Sequence, residues 1–116
     1  MSSHLIKALI PLLPRFAEEE GDLYTVKRTD LILSLCQQTG IETAIAENTV
    51  NFCEILLDSL ATLKRDLLKE GEWCFLSFPA LLMALSVLTA MSAPDSNTTL
   101  SYISSFLYAL SRDLVG

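Results

Sequence analysis

From Trp73 to Pro94 the chain runs 22 residues without a charge. No other feature limits the fold as much. The polar side chains of the stretch, chiefly Ser77, Ser86 and Thr89, can bond back to the carbonyls of their own helix. Beyond Asp95 the chain is uncharged again as far as Arg112. Such a segment belongs either at the centre of a helical bundle or in a bilayer, which takes about 20 apolar residues to cross. Pro79 favours the bundle, because it shortens the continuous helix to roughly 14 residues. The flanking charges agree: Glu70, Glu72 and Asp95 stand there, with no Lys or Arg cluster at either edge. The expected helix runs from about Pro79 to Ser92. It is apolar all round, and so is expected to be buried on all sides.

Hydrophobic residues make up 51% and charged ones 19% of the 116 residues. That is ample for a core, and below the usual charged fraction of about 25%. A mean hydropathy of +0.42 suggests apolar surface that a partner, a second copy or a lipid would cover. The net charge of −6 argues against nucleic acid, which is held by clustered cations. The densest group, Lys64, Arg65 and Lys69, is interleaved with Asp66 and Glu70. The length suits a single helical domain over residues 1–116. Cys36, Cys53 and Cys74 are odd in number and far apart, which predicts reduced thiols and a cytoplasmic location. The N-terminal run MSSHLIKALIPLL has a thin charged region and no small-residue cleavage site after it, so a signal peptide is not expected.

Helical spacing predicts the other elements. Leu5, Ile6, Leu9, Ile10, Leu13 and Phe16 mark a helix that Pro11 and Pro14 should kink or restart. Glu18 to Glu20 read as its frayed, solvated end. A second helix is expected from about Leu23 to Thr39, stopped by Gly40. A third is expected from Thr43 or Thr49 to Glu70, on a seam of Cys53, Leu56, Leu60, Leu63 and Leu67. Trp73, Phe75 and Phe78 would plug the top of the core before the charge-free helix. A fifth helix is expected from about Asn97 to Leu114, with Leu100, Ile103, Leu107, Leu110 and Leu114 on its seam. Tyr102 and Phe106 form an aromatic stripe beside it.

Reactive chemistry is not signalled. His4 is the only histidine, and there is no CxxC, so neither a zinc site nor Ser-His or Cys-His catalysis has its ligands or partners. Glu54 and Asp58 lie one helical turn apart, a spacing common on solvated faces. The glycines read as helix stops, not as a phosphate loop. The stretch LLKEGEWCFLSFPALLMAL resembles the junction before the central helix in Bcl-2 proteins. It lacks the Asn-Trp-Gly-Arg signature of that family, since Cys74 and Phe75 follow Trp73, and supports no family assignment.

The expectation is therefore an all-α fold: a compact bundle of about five helices with a buried, charge-free central helix at about 79–92. No catalytic, cofactor-binding or metal residue is assigned, and an enzyme is not expected. The expected function is a non-enzymatic protein–protein interaction module, such as an adaptor, an inhibitor or a small subunit of an assembly. It would act through an apolar helix face on a protein partner or as a homodimer. The candidate contact residues are Trp73, Phe75, Tyr102 and Phe106. The alternatives are a membrane-associated protein inserting 73–114 as a helical hairpin, or a bundle binding an apolar small molecule.

Overall fold

The computed structural model describes residues 3–64 and 71–92. The fifth expected helix, with Tyr102 and Phe106, lies outside the described residues. Among the described residues, five helices and three strands follow in order: α1 (Ser3–Leu9), α2 (Leu12–Phe16), β1 (Glu18–Glu20), β2 (Leu23–Lys27), α3 (Arg28–Thr39), α4 (Thr43–Ser59), β3 (Glu72–Phe75) and α5 (Phe78–Met91). The strands form one antiparallel sheet in the order β1-β2-β3. This overturns the all-α bundle: the fold mixes helices with a small sheet.

The N-terminal helix restarts at a proline, as the sequence predicts. Pro11 has no N–H to donate, so α1 ends on the bond from Ile10 N–H to the Ile6 carbonyl, 3.2 Å. The chain resumes as α2, with Pro14 inside its first turn, where proline is tolerated. Leu5, Ile6, Leu9, Leu12 and Leu13 are all buried.

The three glutamates are not a frayed helix end. Glu18, Glu19 and Glu20 pair with Thr25, Tyr24 and Leu23 of β2. The two residues left between the strands, Gly21 and Asp22, make the tight turn of a hairpin. Gly21 is left-handed at φ 62° and Asp22 is not, the pattern of a II′ turn, whose twist matches the strands. β2 then pairs with β3 on its other edge, Val26 opposite Trp73 and Tyr24 opposite Phe75. The expected second helix is thus a strand for its first five residues and a helix only from Arg28. Its stop is as expected: Gly40 is left-handed at φ 72°, and its N–H donates to the Cys36 carbonyl.

The third helix is shorter than its leucine seam suggests. α4 ends at Ser59. Ala61 N–H reaches the Asp58 carbonyl, and Thr62 N–H reaches back to Leu57, 3.0 Å. Those are the two bonds of a Schellman stop, with Ala61 at its left-handed position, φ 58°. The buried Thr62 hydroxyl donates to the Leu57 carbonyl too, 2.6 Å. The seam is also rotated from the expected one: Ala46, Thr49, Val50, Cys53 and Leu57 face inward, while Leu60 is 47% exposed. A left-handed L-residue costs about 1–2 kcal/mol, which glycine escapes. Ala61→Gly is therefore expected to raise unfolding stability by about 1 kcal/mol, read as a higher urea midpoint at unchanged slope.

The charge-free stretch divides into two elements. Its first residues are β3, and its helix begins at Phe78, where the Ser77 Oγ accepts from Ala80 N–H and Pro79 sits in the first turn. α5 has 14 residues. It buries Leu81, Ala84, Leu88 and Ala90, and lies against α1, α4 and strands β2 and β3. It is not buried on all sides: Phe78, Pro79 and Met91 are exposed. Among the described residues no helix is long and apolar enough to cross a membrane. The core joins both layers, bringing Leu9, Leu13, Leu31, Val50, Cys53 and Leu57 of the helices together with Val26, Trp73 and Phe75 of the sheet.

Candidate functional site

Trp73 and Phe75, two of the expected contact residues, sit inside the molecule, each 0% exposed. They are held there by sheet pairing and by one polar network. The Trp73 indole N–H donates to Glu54 Oε1, 2.8 Å. The same oxygen lies 3.2 Å from Arg28 Nε, an ion-pair contact in which Nε makes no hydrogen bond. The Arg28 guanidinium also donates to Asn51 Oδ1, and the Arg28 backbone N–H donates to the Gly71 carbonyl, 2.8 Å. The network ties the start of α3, the middle of α4 and the start of β3 together. A buried indole needs such a partner. Glu54 thereby holds the tryptophan in place. Among the described residues no group of three or more His, Cys, Asp and Glu could hold a metal ion.

The apolar side chains that do reach the surface are different ones. On α4, Ile45, Phe52 and Ile55 are 44%, 38% and 62% exposed. Their spacing of seven and then three places them on one side of the helix, away from its buried face. Ile55 lies nearly opposite that buried face. Helical spacing sets Ile55 and Leu57 together on a widened apolar face of this helix, whereas the structure buries Leu57 and leaves Ile55 exposed.

A second exposed group lies where the β1–β2 turn meets the β3–α5 junction. Glu19, Gly21, Asp22, Tyr24, Leu76, Ser77 and Phe78 line an open recess of about 430 Å³. The rings of Tyr24 and Phe78 stand 5.8 Å apart, tilted by 52°. Leu76 and Phe78 are 47% and 51% exposed, so Phe78 does not plug the core. Tyr24 has its hydroxyl pKa raised, first by desolvation and then by the charge and hydrogen bond of Glu19 and the charge of Asp22. The Gly-Asp pair between two short runs could have pointed to this hairpin. The recess itself depends on β3 lying beside β2, which nothing local reports.

Compared with protein-family models, curated proteins and solved structures, the chain matches none.

Proposed function

We propose that the chain is a non-enzymatic protein–protein interaction module, acting through an exposed apolar helix face. The observation that carries this reading is the stripe Ile45, Phe52 and Ile55 on α4. Large apolar side chains exposed on one side of a helix are the anchors that helix-mediated recognition uses. The contact residues are thus on α4, whereas Trp73 and Phe75 support the fold behind it. Self-association is the simplest form, since two such stripes meeting about a two-fold axis bury each other.

The test is light scattering on the purified chain. The wild type is expected at twice 12.8 kDa, and the double variant Phe52→Glu/Ile55→Glu at the monomer mass with an unchanged far-UV spectrum. Two buried carboxylates without partners are expected to weaken association at least about 100-fold. A wild type that stays monomeric at about 100 μM, an association energy weaker than roughly 5 kcal/mol, would remove self-association through α4.

A further inference from the structure

The sheet has two outer edges, and they differ. The outer edge of β3 is engaged, because Lys64 N–H donates to the Cys74 carbonyl, 2.9 Å. The outer edge of β1 pairs with no strand among the described residues, and Glu18, Glu19 and Glu20 are all exposed. An open edge is a template for another strand. Side chains alternate along it: Glu19, opposite Tyr24, shares the sheet face of the recess, and Glu18 and Glu20 stand on the other face.

We propose that the β1 edge and its recess bind an extended, basic protein segment, which adds to the sheet as a fourth strand. The chemistry of the lining selects the occupant. A side chain entering the recess meets two aromatic rings, Tyr24 and Phe78, and two carboxylates, Glu19 and Asp22. Ring faces attract cations, and the carboxylates complete the shell of a guanidinium or ammonium group. The neighbouring residues of the incoming strand pass Glu18 and Glu20, where cations also fit. Strand β1 of a second copy does not suit this edge, since β1 against β1 would set glutamate beside glutamate. The net charge of −6 favours approach of a basic segment over an acidic one. This surface is separate from the α4 stripe, and either can fail without the other.

The test uses fluorescence anisotropy with a labelled peptide of about eight residues, three central arginines flanked by Val and Thr. Two control peptides accompany it. One carries glutamates in place of the arginines. The other keeps every charge but has prolines at the positions whose N–H would join the ladder. The arginine peptide is expected to bind, and the glutamate peptide not to bind. The proline peptide is expected to bind at least about tenfold more weakly. Glu19→Lys should weaken the arginine peptide at least about tenfold, and Phe78→Ala several-fold. Both side chains are exposed, so the variants keep the fold, which far-UV circular dichroism checks. The proposal is overturned if the arginine peptide does not bind at about 100 μM. It is overturned equally if the proline peptide binds as well, which is charge attraction alone, or if Glu19→Lys leaves affinity unchanged. The glutamates would then serve only to keep the edge from pairing.

Discussion

Replacing Trp73 by alanine is expected to destabilise the fold by about 3–5 kcal/mol. That is a large share of the roughly 5–15 kcal/mol that holds a domain of this size together. The side chain is 0% exposed, lies in the central cluster and is opposite Val26 in the sheet. Its removal opens a large void and leaves Glu54 without its indole donor. Trp73→Phe separates the two contributions, since it keeps most of the ring and loses the N–H. It should cost less, about 1–2 kcal/mol, part of that being the lost bond to Glu54. The discount for a carboxylate that still reaches water is included, because the Glu54 side chain is 22% exposed. Urea unfolding followed by far-UV circular dichroism measures both variants, as the single tryptophan is no longer a probe. Equal losses for alanine and phenylalanine would mean that the indole hydrogen bond, not the packing, dominates.

Alkaline pH should undo the fold through Cys53. This thiol is 0% exposed, and burial pushes its pKa from 9.0 up to about 12. The core accepts only the protonated form. Below about pH 9 both the folded and unfolded chains keep the proton, and its contribution is fully present. Above that value the unfolded chain releases the proton while the folded chain holds it. Stability then falls by about 1.4 kcal/mol per pH unit, until the folded thiol ionises as well. The whole window corresponds to about 4 kcal/mol, an upper figure for one buried group. Cys53→Ala removes this dependence at the cost of a small cavity. The stability gap between wild type and Cys53→Ala should therefore shrink, and then reverse, as pH rises from 9 towards 12. Tyrosines and lysines titrate alike in both proteins and cancel. A gap that stays constant with pH would show that the folded thiol ionises as easily as the unfolded one.

Helices announce themselves in this chain, and strands do not. The restart at Pro11, the left-handed Gly40 and the start of α5 at Ser77 and Pro79 are all local chemistry, readable from a few neighbouring residues. The sheet is hidden for three separate physical reasons. β1 is three glutamates, and an exposed edge strand of one charge type has no apolar alternation to detect. β2, Leu23–Lys27, holds Tyr24, Thr25 and Val26, good strand formers, but it runs directly into α3 and so reads as that helix's first turn. β3 is buried on both faces at Trp73, Cys74 and Phe75, so its run of apolar residues looks like the approach to a helix. Trp73 and Phe75 are prominent by residue type, yet their partners, Glu54 and β2, are far away in sequence. Ile55 reads from its spacing as part of a widened apolar face, and its exposure follows only from the way α4 is rotated on its neighbours.

The sheet also sets an order of events during synthesis. Val26 and Trp73 stand opposite each other in the sheet but 47 positions apart in the chain. The β1–β2 hairpin, α3 and α4 can form from local contacts as the nascent chain leaves the ribosome. β3 cannot join until residue 75 has emerged, and until then the hairpin shows its inner edge, Val26 included, to the surroundings. Pairing across such a separation is the slow, entropy-limited step of small folds. The growing polypeptide is therefore most prone to wrong strand pairing between release of β2 and arrival of β3. The acidic β1 strand, already paired to β2, lends that interval a negative charge that keeps like chains apart.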